Sequence, residues 1–181
     1  MSEAAFRRVV LVGFMGAGKS AVAKSVADAI GWSSVDADQA IESEEGRSIA
    51  RIFEQDGEAY FRSVERRVTR SLLEGDHVVV ASGGGWAGEG SWVDTLPPGT
   101  LSVWLDVTTD EALERVGPDY AERPLLATES GRADADRRHR VRRPSYALAK
   151  VRVDTNGSTV DDVSARILEL LAEARDEPRT E

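Results

Sequence analysis

The residues with the most specific chemical potential are Gly13-Phe14-Met15-Gly16-Ala17-Gly18-Lys19-Ser20, a full match to the phosphate-binding pattern G-x-x-x-x-G-K-[ST]. Glycines let the backbone curl until successive N–H groups point inward at phosphate oxygens. Lys19 supplies an ammonium and Ser20 a hydroxyl suited to Mg2+. Gly16, Ala17, Gly18, Lys19 and Ser20, with Ala21 after them, are therefore read as the contacts to a nucleoside triphosphate. A glycine-rich turn that binds nothing is the competing reading, and it accounts for neither Lys19 nor Ser20.

Other residues could complete a site. Asp36 and Asp38 stand one residue apart after a short apolar run and could present two carboxylates to one ligand; helix capping is the alternative use of Asp there. Gly83, Gly84 and Gly85 follow another apolar run. Adjacent glycines are costly in chain entropy, and close approach of backbone to a ligand justifies them better than a flexible linker does. Arg132, Arg137, Arg138, Arg140, Arg142 and Arg143 concentrate positive charge in one stretch, to be divided between anion contacts and a solvated helix face. Arg62, Glu65 and Arg66 read by pattern alone as a solvated face of a helix.

The elements that would position these groups follow from periodicity. Val9–Val12 is a buried-strand run, and Val22, Val26 and Ile30 form a helical stripe that stops at Gly31. The phosphate loop thus lies between a strand and a helix N-terminus, whose partial positive charge favours anions. A second strand covers Trp32–Val35, and helical signals run from Asp38 to Gly75, with Ser48 as a cap and Gly57 as an interruption. Val78–Ala81 and Leu101–Val107 are further strands, with a short helix around Trp92–Leu96 between them and a helix capped by Thr108 or Thr109 after them. Residues 117–133 lose periodicity and read as a lid. Val151–Thr155 is a fifth strand; Ser158 and Asp161 resemble a capping box for a last helix with stripe Val160, Val163, Ile167 and Leu171, and residues from Glu173 onward read as a frayed tail.

Composition bounds the function. The 181 residues, 41% hydrophobic and 30% charged, describe one folded domain. The net charge of −9 argues against a broad nucleic-acid surface, and the absence of cysteine excludes disulfides and thiolate metal sites. The first residues lack a signal-peptide core and no apolar stretch is long enough to span a membrane, so a cytoplasmic monomer acting on a small molecule is expected.

These motifs in this order resemble the shikimate kinases: GxxGxGKS, then Asp36-x-Asp38, Gly46-Arg47-Ser48-Ile49, Phe61-Arg62 with Glu65, Gly83-Gly84-Gly85, Arg123-Pro124-Leu125-Leu126 and Arg142-x-Pro144-x-Tyr146. The resemblance spans about Val9 to Asp154. It implies a three-layer α/β/α fold with a five-stranded parallel sheet, of the P-loop and nucleoside-monophosphate-kinase type, with a mobile lid. It also implies MgATP-dependent phosphorylation of the shikimate 3-hydroxyl, a step toward chorismate and the aromatic amino acids. By the same resemblance Asp38 contacts the acceptor hydroxyl, and Asp36 with Ser20 belongs to the metal environment. Arg62 and Arg142 clamp the substrate carboxylate beside Gly83, Gly84 and Gly85; Arg123 is the lid arginine and Arg115 packs on adenine. A planar guanidinium fork suits a carboxylate where Lys does not.

Two departures from the family pattern carry expectations. Trp86 stands where a small residue is usual and is expected to crowd or reshape the pocket wall; Ser145 replaces Leu, and Arg143 is the alternative to Arg142. Competing readings are a kinase of another polyol acid such as gluconate, and a nucleotide-binding regulatory module without catalysis. A GTPase is disfavoured because no NKxD guanine-reading sequence is present.

Overall fold

The computed structural model describes residues 6–88, 92–117 and 129–176. Five strands, β1 (Arg8–Val12), β2 (Ser33–Asp36), β3 (Val78–Ala81), β4 (Thr100–Asp106) and β5 (Val151–Asp154), form one sheet in the order β2-β3-β1-β4-β5. Every pairing is parallel, with Val10 opposite Val80 on one side and Ser102 on the other. Val9, Val10, Leu11 and Val12 are each 0% exposed, as continuous apolar runs must be when helices cover both faces of a sheet. The chain leaves β1 toward β3 on one side and β4 on the other, so the crevice beyond its carboxyl end is a topological switch point.

The helices are α1 (Lys19–Ile30), α2 (Ala37–Glu45), α3 (Ile49–Leu72), α4 (Thr109–Val116), α5 (Glu129–Tyr146) and α6 (Val160–Asp176). Helix α1 buries Val22, Ala23, Val26 and Ala27 and ends where Gly31 turns left-handed at φ 70°. Helix α3 is capped by Ser48, which accepts from Arg51 N at 3.3 Å, and is broken by Gly57 at φ 79° into two segments. The second segment buries Phe61, Val64 and Val68, with Glu65 and Thr69 enclosed between them. Each buried aliphatic side chain of such a stripe contributes about 1.5–3 kcal/mol.

Several sequence expectations are corrected. The capping box of α6 is Thr159 with Asp162, not Ser158 with Asp161: Thr159 N donates to Asp162 Oδ2 at 3.0 Å and Asp162 N to Thr159 Oγ1 at 3.2 Å. The one-residue shift carries Val160 out of the apolar stripe to 38% exposure, while Val163, Ile167 and Leu171 are buried. The short element after the glycine triplet is a 3-10 turn, Trp92–Thr95. Residues 129–133 are already helical, so the stretch read as a lid overlaps the first turn of α5. Its residues 118–128, and the tail 177–181, lie outside the described residues. No described helix is long and apolar enough to cross a membrane.

Candidate active site

Three glycines shape the phosphate loop between β1 and α1, at φ 142° (Gly13), 71° (Gly16) and 86° (Gly18). A Cβ on Gly16 would lie 2.9 Å from the Cα of Ala112, so this glycine also lets the loop pack against α4. Lys19 Nζ donates to the carbonyls of Gly13 and Phe14 at 2.9 Å each, which holds its ammonium across the loop at the start of α1. Ala17 is buried and Ala21 is exposed on the first turn of α1.

Beside the loop, the Ser20 hydroxyl donates to Asp36 Oδ2. The other oxygen of Asp36 caps α2, accepting from Asp38 N at 2.9 Å and Gln39 N at 3.2 Å. The capping reading of Asp36 therefore holds through one carboxylate oxygen, while the other meets Ser20. Among the described residues no group of three or more His, Asp or Glu is placed to hold a metal on its own. A cation here would rest on Ser20 and Asp36 together with phosphate oxygens, the few-ligand manner in which Mg2+ is usually held.

Side chains of α2, α3 and α5 converge on the glycine triplet. A Cβ on Gly83 would collide with Glu65 and lie 2.8 Å from Asp38 Oδ1; one on Gly85 would lie 2.7 Å from Arg62 Nη2. Gly84 faces the phosphate loop, with Met15 N 3.7 Å from its hypothetical Cβ. The Gly84 carbonyl accepts from Arg142 Nη1 at 3.1 Å and from the Tyr146 hydroxyl at 2.6 Å. None of the three adopts positive φ, so the need for glycine at Gly83 and Gly85 is steric rather than conformational.

Electrostatics tie these groups together. Glu65 is 1% exposed and holds Arg62 Nη1 at 2.6 Å. Burial pushes its carboxyl above the ordinary range, against the pull of Arg62, and Asp38 adds to the rise while Arg142 opposes it. Burial likewise pushes the Tyr146 phenol up to about 12, so its hydroxyl stays protonated and donates to Gly84. Arg62 also bonds Glu58 at 3.2 Å.

The remaining predicted residues divide. Arg143 turns away from the triplet to Asp106 at 2.8 Å and the face of Trp104, whereas Arg142 faces Gly84 and Gly88. Arg115, at the end of α4, bonds Thr155 Oγ1 at 3.2 Å and Glu111 at 2.6 Å, presenting its guanidinium near the loop after β5. Arg123 lies outside the described residues. Trp86, whose backbone N–H donates to the Gly83 carbonyl at 3.2 Å, packs its ring on Trp92 with centroids 5.4 Å apart and lines a cavity of about 540 Å³ with Arg66 and Arg70. Trp86 is 7% exposed.

Sequence pattern placed Glu65 on a solvated face. The signal that could have moved it is its i,i+4 spacing from Phe61 and Thr69, inside the arc that Phe61, Val64 and Val68 bury.

Comparison with known proteins agrees with this architecture. The profile of a family described as shikimate kinase matches residues 15–172. A shikimate kinase of Synechococcus sp. (strain CC9605) is 38% identical over 172 residues, covering 95% of this chain and 86% of that protein. One from Persephonella marina is 37% identical over 162 residues, covering 90% and 97%. The structure of shikimate kinase from Acinetobacter baumannii in complex with shikimate matches with a TM-score of 0.87 at 31% identity, covering 95% of this chain and 96% of that one. A gluconokinase from Sinorhizobium meliloti shares the fold alone, with a TM-score of 0.58 at 20% identity.

Proposed function

This chain belongs to the shikimate kinase family, and from that premise we infer that it transfers the terminal phosphoryl group of ATP to the 3-hydroxyl of shikimate. The observation that carries the assignment to particular residues is the convergence of Asp38, Arg62 and Arg142 on Gly83–Gly85, directly beside the phosphate loop.

In this reading Arg62 and Arg142 hold the acceptor's carboxylate, Arg62 with its orientation fixed by Glu65. Asp38 accepts a hydrogen bond from the reacting hydroxyl and takes its proton late, because the loose transition state of phosphoryl transfer asks little of a base. Lys19 leaves its carbonyl partners to meet the transferring oxygens, and Arg123 joins it there. Arg115 packs on the adenine. Mg2+ held by Ser20 and Asp36 supplies charge neutralisation across the phosphates. The same reading takes the protein as a cytoplasmic monomer acting on a small molecule.

The test is ADP release with MgATP and shikimate, gluconate, quinate or no acceptor. Turnover with shikimate alone supports the assignment; equal turnover with gluconate, or none that depends on an acceptor, overturns it. Loss of turnover in EDTA with recovery on added Mg2+ tests the cation.

A further inference from the structure

His139 belongs to no motif that pointed to the function, yet it sits where the two halves of the site meet. It is 4% exposed on α5, and its ring stacks on Phe14 of the phosphate loop with centroids 4.6 Å apart and planes 19° from parallel. Its Nδ1 is 3.0 Å from the hydroxyl of Thr109, the first residue of α4. Phe14 is the residue whose carbonyl holds Lys19. Three and seven residues on, Arg142 and Tyr146 continue the same face of α5 and grip Gly84. One stripe of one helix therefore touches the phosphate loop at one end and the acceptor floor at the other.

We propose that His139 is a positioning residue for phosphoryl transfer: its neutral imidazole, stacked on Phe14 and bonded to Thr109, sets the register between the phosphate loop and the helix bearing Arg142 and Tyr146. The inference rests on the kinase assignment above. Nε2 is buried with no hydrogen-bond partner among the described residues. A bare acceptor is cheaper to bury than an orphaned N–H, so the tautomer consistent with the site donates from Nδ1 to Thr109. Protonation would place an unpaired N–H and a charge in the same enclosure. Burial first, then Arg143, hold the imidazole below its ordinary range, while Asp106 at the end of β4 and Asp136 on α5 oppose this; Phe14 and Thr109, its contacts from the loop and α4, are uncharged. Loss of neutrality would loosen the stack and with it the placement of Lys19.

The experiment measures kcat and both KM values from pH 5 to 8 for the wild type, His139→Ala, His139→Phe, Thr109→Val and, as control, His77→Asn, which alters the only other histidine. Wild-type turnover with shikimate tests the kinase assignment independently of any variant. His139→Ala is expected to lower kcat/KM for MgATP about tenfold, and His139→Phe, which restores a ring, to return it to within about threefold of wild type. Below the ordinary histidine range the wild type and His77→Asn should lose kcat/KM for MgATP relative to His139→Phe, which cannot titrate. A lowered melting temperature in His139→Ala with both kinetic constants and the pH profile unchanged would reduce the residue to core packing and overturn the proposal. Should His139→Ala not fold, Thr109→Val deletes the same bond from α4; it is expected to raise KM for MgATP about threefold, and wild-type constants in it overturn the proposal.

Discussion

Arg62 and Glu65, one turn apart on α3, form a 2.6 Å ion pair in which the carboxylate is 1% exposed and the guanidinium faces Gly85. The two serve each other. Glu65 fixes the direction of the fork, and Arg62 neutralises a charge that the core would otherwise reject. In the proposed mechanism stability and substrate binding therefore both pass through Arg62.

Arg62→Ala leaves Glu65 buried without its charge partner and is expected to cost about 3–5 kcal/mol of stability along with substrate affinity. Arg62→Lys keeps a cation near Glu65 but loses the fork, so stability falls less while KM for shikimate rises about tenfold or more. Urea unfolding and steady-state kinetics on both variants check this. A wild-type KM in Arg62→Lys would remove Arg62 from the carboxylate clamp.

The glycine triplet is expected to be unequal. Gly85→Ala and Gly83→Ala force a Cβ into Arg62 or into Glu65 and Asp38, and each should raise KM for shikimate or lower kcat about tenfold. At Gly84 nothing lies nearer than 3.7 Å to the added carbon, so Gly84→Ala should stay within about threefold of wild type. Equal damage at all three would mean that backbone conformation, not side-chain collision, dictates the glycines.

Glu65 gives stability a pH signature of unusual sign for a carboxylate. Its folded-state value lies above the unfolded one near 4.5, chiefly through burial. The unfolded chain then gives up its proton first as pH rises, and stability falls between 4.5 and the raised folded value. Below 4.5 that contribution is fully present. Urea unfolding of wild type and Glu65→Gln across this window should show the difference between them moving against the wild type as pH rises; a difference that moves the other way contradicts a raised carboxyl.

The fold was legible because its signals are local. Val9–Val12, Val78–Ala81 and the glycine stops at Gly31 and Gly57 each act over a few residues, and the strands and helices form there. The α6 cap was displaced by one residue because Ser, Thr and Asp at 158, 159, 161 and 162 allow two boxes of the same chemistry, and only packing of Val163 and Ile167 selects between them. In the site, Asp36, Lys19 and Ser20 were visible through fixed motif spacing. His139 was not, since its partner Phe14 lies 125 residues away along the chain and no period links them, and Glu65 was named in a motif but its burial was missed, because a charged residue at helical spacing reads first as a solvated face. Arg142 and Arg143 differ only in which way a helix face turns, and Gly84 and Asp106 decide that in three dimensions.

Trp86 supplies a negative prediction. It packs on Trp92, whose indole N–H donates to the Ser145 carbonyl of α5 at 3.0 Å, and is expected to act through that support rather than through the acceptor. Trp86→Ala should destabilise by about 3–5 kcal/mol, whereas Trp86→Phe should cost less and leave KM for shikimate within about twofold. A large drop in KM with Trp86→Phe would return the ring to the pocket wall.

Two carboxylates approach the same glycine, and the reaction needs to use only one. Asp38 Oδ1 and the Glu65 carboxylate both crowd the space a Gly83 side chain would fill, and the charge on Asp38 raises the Glu65 carboxyl. A raised carboxyl is in principle the better base, but the Glu65 oxygen toward Arg62 is committed to a 2.6 Å bond and the residue is sealed from solvent. Asp38 stands in the first turn of α2, two residues from Asp36, whose carboxylate meets Ser20 of the phosphate loop, and is the one the proposed mechanism uses. Asp38→Asn should therefore lower kcat about 10²–10⁴-fold with ATP binding intact, as Lys19→Ala should by removing charge from the transferring oxygens. Glu65→Gln should act mainly through KM for shikimate, because it loosens Arg62 without touching the hydroxyl. Single-turnover kinetics at saturating substrates decide between the two, since there the KM effect vanishes: a slow chemical step in Glu65→Gln with a near-normal one in Asp38→Asn would exchange their roles.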